Sequence, residues 1–252
     1  MRKIALVTGA TAGIGTAVAE ILAKNGYNLI ITGRRKDLLD RLKNELNVKH
    51  KSDVLALNFD IRDRKQTENV IDHLPKSWEN IDALINNAGL SLGLTPIQEG
   101  LVDDWDQMID TNIKGLLYIT RKVAPLMVKR GSGHIVNISS IAAKELYEGG
   151  NVYCATKHAV DALTKGMRID LVKHNIKVTS VSPGMVETEF SLVRFKGNTA
   201  RADKVYEGMV PLSADDVAEA VWFALSRPPH VNINDMLIMP TAQANITTVV
   251  RK

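Results

Sequence analysis

Two side chains one helical turn apart hold the clearest chemistry in this chain: Tyr153 and Lys157, within Tyr153-Cys154-Ala155-Thr156-Lys157. Residues i and i+4 share a helix face, so the phenol and the ammonium can address one substrate. A cation beside a phenol favours the phenolate and lowers its pKa from about 10. Such a tyrosine can give a proton to a carbonyl oxygen, or take one from an alcohol, near neutral pH. Ser139 and Ser140 lie upstream and strengthen the case.

A second chemical signal opens the chain. Thr8-Gly9-Ala10-Thr11-Ala12-Gly13-Ile14-Gly15 joins an apolar run to a helical pattern. Glycines there let the backbone turn tightly and approach a ligand, and a helix N-terminus offers amides and positive dipole to a pyrophosphate. The spacing is G-x-x-x-G-x-G, so the mechanism of the commoner dinucleotide fingerprint carries over without its exact pattern. The next apolar run ends in Thr32-Gly33-Arg34-Arg35. An acidic residue at this point would hold the ribose hydroxyls of NAD; Gly33 and Arg34 instead favour the 2′-phosphate of NADP, which a guanidinium clasps through paired hydrogen bonds. The competing reading leaves Arg34 and Arg35 as solvated loop residues. Asp60, ending the third run, suits an adenine amine or a helix N-cap, a role Asp63 could also fill.

The elements needed to position these groups are legible as alternation. Strand-length apolar runs occur at Ile4 to Val7, Leu29 to Thr32, Val54 to Phe59, Ala83 to Ile85, His134 to Ile138, Lys177 to Val181 and Met236 to Met239. Several are apolar on consecutive residues, as strands covered on both faces are. Helical patterns lie between them, among them Ile14 to Asn25, Asp37 to Asn47, Asp103 to Lys129, Val152 to His174 and Ala214 to Ser226. The expected fold is α/β, a single domain spanning 1–252 with a doubly wound parallel sheet and helices on both faces. Residues 184–212 have only broken periodicity, and a long irregular insertion of this kind is expected to act as a lid over the substrate; a surface excursion is the alternative.

Composition narrows the partners. The net charge of +4 is modest and scattered, which argues against a nucleic-acid surface. No apolar run reaches membrane-spanning length, and the opening run breaks at Thr8-Gly9, short of a signal core. Cys154 is the single cysteine, so no disulfide framework or cysteine-based metal site is expected and a reducing cytoplasm suits the chain. Beside Tyr153, Cys154 reads as a small packing residue.

Taken together, Thr8-Gly-x-x-x-Gly13-x-Gly15, Asn86-Asn87-Ala88-Gly89, Ser140, Tyr153-x-x-x-Lys157 and Pro183-Gly184 resemble the short-chain dehydrogenases/reductases, in the same order and over the whole chain. The resemblance implies a Rossmann-type sheet of about seven strands. It makes Tyr153 the general acid/base, and Lys157 the residue that binds the nicotinamide ribose and lowers the tyrosine pKa. Ser140 would hold the substrate oxygen, with Ser139 as fallback, and Asn112 would link Lys157 to a water-borne proton relay. It implies a cofactor cleft lined by Thr8, Gly9, Thr11, Gly13, Ile14, Gly15, Arg34, Arg35, Asp60, Ile61, Asn87, Ala88 and Gly89, with Pro183, Gly184, Val186 and Thr188 covering the nicotinamide.

A narrower likeness, through Ile109 to Gly115, Gly149 to Tyr153, Glu187 to Phe190, Val193 to Gly197 and Pro229 to Asn234, is to the NADP-dependent 3-hydroxy acid dehydrogenases. That branch acts on serine, allo-threonine and related 3-hydroxy acids and is typically tetrameric, so NADP(H), a small hydroxy acid and a homotetramer are implied. The alternatives are a 3-oxoacyl thioester or general carbonyl reductase, and a non-catalytic NADPH-binding protein. A substrate carboxylate in a buried site needs a cation; Arg194 and Lys196 are the candidates, and Arg194 is preferred.

Overall fold

The computed structural model describes residues 2–252. In chain order the elements are β1 (Ile4–Val7), α1 (Gly13–Lys24), β2 (Asn28–Gly33), α2 (Lys36–His50), β3 (Val54–Asn58), α3 (Arg64–Asp72), β4 (Ile81–Asn86), α4 (Val102–Ile109), α5 (Leu116–Arg130), β5 (Gly133–Ile138), α6 (Asn151–Leu171), β6 (Ile176–Pro183), α7 (Glu189–Arg194), α8 (Thr199–Lys204), α9 (Ala214–Leu225) and β7 (Asp235–Ile238). The strands form one sheet in the order β3-β2-β1-β4-β5-β6-β7, and every pairing is parallel.

Side chains alternate across a strand, and the core divides accordingly. Ala5 and Val7 of β1, Leu29 and Ile31 of β2 and Val136 of β5 pack with Val18 and Leu22 of α1 and Val217 and Val221 of α9. Leu6, Ile30, Leu84, Ile135 and Val178 face the other way, onto Ile71 of α3 and Ile119, Val123 and Met127 of α5. Both faces are therefore buried, which explains the unbroken apolar runs. The chain reverses its winding between β1 and β4, and the carboxyl ends of the strands there open the crevice where such folds bind ligands.

Two expectations are revised. The pattern over Asp103 to Lys129 is two helices, α4 and α5, joined through a π-helical turn at Asp110–Gly115. Residues 184–212 are partly regular, holding α7 and α8, whose Thr188 and Asn198 side chains accept the first free amides.

Beneath the crevice a buried polar ladder fastens helices to the sheet. Asn86 donates to Thr120 Oγ1 (3.0 Å) and Asn137 Oδ1 (2.8 Å), and Asn137 donates to Thr164 Oγ1 (2.8 Å). It ties β4 and β5 to α5 and α6. Asn137→Leu strands one buried N–H of Asn86, at a cost of about 1–3 kcal/mol. It should lower the thermal midpoint by several degrees, and an unchanged midpoint in calorimetry would show the ladder to be dispensable.

Candidate active site

Burial does most to shape the central pair. Tyr153 and Lys157 lie on α6 and are both buried. Lys157 Nζ donates to the Ile138 carbonyl at 3.0 Å, and burial pushes its pKa down to about 8. Burial also raises the Tyr153 phenol above its ordinary value. Opposing that rise are first the Arg194 guanidinium and then the Ser140 hydroxyl. Lys157 Nζ stands 5.9 Å from the Tyr153 ring centroid and the Arg194 guanidinium carbon 5.2 Å, so two cations flank the phenol ring. Ser140 follows β5, and its hydroxyl accepts the Ala142 amide at 3.1 Å. Ser139 Oγ is buried and, among the described residues, without a partner.

Asn112 sits in the π turn, and such turns interrupt helices to re-aim groups at functional sites. Its Oδ1 accepts the Leu90 amide (2.9 Å), while Nδ2 donates to the Leu90 carbonyl (2.8 Å) and Thr156 Oγ1 (3.0 Å). The amide group is therefore spent on clamping the segment after β4 to α6. Gly89 faces both groups: a Cβ there would lie 3.3 Å from Asn112 Oδ1 and 3.6 Å from Lys157 Nζ.

At the other end of the crevice, α1 begins without a side-chain cap and without an acidic residue in its first turn, so its N-terminal amides remain open to an anion. Gly9 adopts φ +65° and Gly13 φ +50°, and a Cβ on Gly15 would stand 2.3 Å from the Gly9 carbonyl oxygen. No other residue fits that cradle, and it suits a pyrophosphate. Ile14 packs against the α1-side core. Arg34 is exposed and, among the described residues, its side chain makes no hydrogen bond or ion pair.

Several other predicted cofactor residues have internal work. The Thr8 hydroxyl donates to the Ile85 carbonyl and accepts the Asn87 and Ala88 amides, joining β1 to the end of β4. Asn87 Nδ2 donates to the Thr8 and Gly9 carbonyls at 2.9 and 3.1 Å. Ile61 is buried, and a Cβ on Gly115 would meet it at 3.0 Å. Burial would raise the Asp60 carboxyl, but hydrogen bonds from Arg62 hold it below its ordinary value, with Nη2 at 2.6 Å. Asp63, not Asp60, caps α3. Arg35 bonds Thr11 and Glu189. Pro183 closes β6, the Gly184 amide donates to the Ile238 carbonyl at 2.8 Å, and Val186 bridges to Leu212.

The two candidate cations in residues 184–212, Arg194 and Lys196, part company. Lys196 is paired with the buried Asp104 carboxylate at 2.9 Å. Arg194 Nε donates to Ser91 Oγ (3.1 Å) and Nη2 to Tyr147 Oη (2.8 Å). Its guanidinium carbon lies 5.2 Å from the Tyr153 ring centroid, 5.0 Å from that of Phe190 and 5.7 Å from that of Tyr147. Ser91, Tyr147, Phe190 and Thr156 escaped the sequence reading. Aromatic identity beside a motif could have flagged Tyr147, but no local signal pairs Ser91 with a residue 103 positions away.

An α/β domain of this topology, with a serine, a tyrosine and a lysine gathered at the ends of β5 and α6, defines a class of dinucleotide-dependent oxidoreductases. The family model "short chain dehydrogenase" matches residues 3–198, and the chain belongs to that family. It is 48% identical over 242 residues to the NADP-dependent 3-hydroxy acid dehydrogenase YdfG of Salmonella typhi, covering 96% of each chain. It is 44% identical over 245 residues to sulfoacetaldehyde reductase 2 of Chromohalobacter salexigens, covering 97% of this chain and 96% of the relative. Among solved structures it is similar to the closed form of serine dehydrogenase complexed with NADP+, with a TM-score of 0.93, 46% identity and 99% of each chain covered.

The depressed Lys157 pKa has a stability consequence. The protonated amine carries its full burial cost below about pH 8, and the cost fades as pH climbs towards 10.5, the ordinary value. Lys157→Met removes a penalty of order 3 kcal/mol at pH 7, less the lost bond to Ile138. Its thermal midpoint should exceed that of the wild type at pH 7, and the difference should shrink as pH rises. A lower midpoint at pH 7 would show the ammonium to be well compensated.

Proposed function

We propose that this protein is an NADP(H)-dependent oxidoreductase that interconverts the 3-hydroxyl of small 3-hydroxy acids, of the serine, L-allo-threonine and 3-hydroxypropionate type, with the corresponding carbonyl. The observation that carries the substrate class is Arg194. Its guanidinium sits against the Tyr153 ring with only neutral partners among the described residues. A cation held this way, with no carboxylate of the protein beside it, suits a substrate carboxylate or an equivalent anion such as a sulfonate. The names of two relatives, one acting on 3-hydroxy acids and one on sulfoacetaldehyde, agree with an anionic substrate.

The bound nicotinamide supplies or accepts the hydride. The protein positions and protonates. As a carbonyl is reduced, negative charge builds on its oxygen, and donors aimed there stabilise it. Ser140 and Tyr153 are those donors, and Tyr153 gives up its proton. Lys157 holds the ribose side of the cofactor, the open amides of α1 hold the pyrophosphate, and Arg34 reads the 2′-phosphate. Residues 184–212 act as the lid that carries Arg194 to the site. In oxidation Tyr153 accepts the hydroxyl proton, and with serine or allo-threonine the β-keto acid formed loses carbon dioxide without help.

Support for a homotetramer comes from Leu117 of α5, Ile169 of α6 and Leu237 of β7, which stand exposed on the elements expected to pack across two-fold axes. No helix among the described residues is long and apolar enough to cross a membrane, and we place the protein in the cytoplasm.

Following NADP reduction with L-serine, allo-threonine and 3-hydroxypropionate tests the reading. Tyr153→Phe should abolish turnover, and Ser140→Ala should cut it by about 100-fold; no turnover of any 3-hydroxy acid by the wild type overturns the assignment. Arg194→Met should raise KM for carboxylate substrates by about 10- to 100-fold, the worth of a charged hydrogen bond. Neutral aldehydes should be spared that KM loss, and equal losses for both would remove Arg194 from substrate binding. Because burial raises the Tyr153 pKa, carbonyl reduction should hold through neutral pH and fall in alkali, while oxidation rises. Loss of the Arg194 charge should move that limb to higher pH.

A further inference from the structure

The two arginines after β2 do different things. Arg34 is free to meet a ligand, whereas the Arg35 guanidinium is already committed. Its Nη1 donates to Glu189 Oε2 at 3.0 Å, its Nη2 to the Thr11 carbonyl at 3.3 Å and Thr11 Oγ1 at 3.2 Å, and its Nε to Thr11 Oγ1 at 3.4 Å. Thr11 lies in the glycine-rich turn, and Glu189 opens α7, the first helix of the 184–212 segment. One residue earlier, the Thr188 side chain reaches the same turn, 3.1 Å from where a Cβ on Gly13 would stand. Residues 154 positions apart are thus joined across the mouth of the crevice, at the level of the uncapped start of α1.

We infer that Arg35 and Glu189 form a clasp over the cofactor cleft, and that Glu189 is a positioning residue that sets how long the dinucleotide stays bound without touching it. The inference rests on the dinucleotide reading above. Thr11 and Thr188 both flank the uncapped start of α1, so a pyrophosphate seated there would be spanned by the bridge from Thr11 to Glu189 and would be released as that bridge opens. Thr11 holds the guanidinium in place, so closing the pair costs little side-chain freedom. The pair is about half exposed, 45% and 53% for its two side chains, which keeps its contribution modest and sensitive to salt. The clasp does not read the 2′-phosphate; that task stays with Arg34. It therefore retains NADPH and NADH alike, while Arg34 alone discriminates between them.

Displacement kinetics of NADPH and NADH from the purified enzyme separate these roles. Glu189→Gln should raise the dissociation rate of both nucleotides by about two- to fivefold, the scale of an exposed ion pair. In an Arg35→Met background the same change should add nothing. Arg34→Gln should accelerate NADPH release and leave NADH release unmoved. Unchanged rates in Glu189→Gln overturn the clasp, as do equal effects in both Arg35 backgrounds or an effect confined to NADPH. A wild type that binds neither nucleotide overturns the cofactor reading and the clasp with it, so the two failures are distinct.

Discussion

Lys157 holds an ammonium group in the protein interior with one carbonyl, that of Ile138, as its hydrogen-bond partner. Burial of a charge with so little compensation is costly, and it persists only where the surroundings leave it no alternative. Here the surroundings are the ends of β4 and β5 and the helix α6 that bears it. Everything near the site can be understood as fixing those three elements so that a strained charge stays where a substrate and cofactor would use it. The cost is of the same order as the margin by which small domains are stable, which is why the rest of the domain must be well packed.

That fixing is done by buried polar groups rather than by apolar contact alone. The Asn86–Asn137–Thr164 ladder sets β4, β5 and α6 against one another, and the Asn112 amide closes the same arrangement from above by bonding Leu90 and Thr156. Apolar packing tolerates small shifts, but hydrogen bonds in a low-dielectric interior have a narrow range of distance and angle. The π turn at Asp110–Gly115 belongs to this logic. It carries Asn112 to a place the periodicity of one continuous helix would not provide.

The electrostatics of the phenol come from a different quarter. Residues 184–212 bring Arg194 into an aromatic box of Tyr147, Tyr153 and Phe190, where a guanidinium stacks well. It faces the catalytic candidate directly and opposes the effect of burial on it. On the proposed reading, one cation biases the proton on Tyr153 and receives an anionic substrate, which would couple acid–base chemistry and substrate choice through one side chain. Lys196, two residues on, has no such freedom because Asp104 holds it.

The pattern of residues alone determined the sheet-and-helix alternation, the glycine-rich turn, the Tyr153–Lys157 pair and the absence of an acidic residue at the end of β2. Each of these is a local matter: period, spacing within a turn, or the identity of the residue at a strand end. Only the tertiary structure decided which of two serines faces the phenol, that the Asn112 amide is spent on Leu90 and Thr156, that Arg194 rather than Lys196 is unpaired by acid, and that Arg35 reaches Glu189. Apart from the serine, those outcomes depend on contacts between residues 22 to 154 positions apart. Their energies come from burial and from partners that no local window contains.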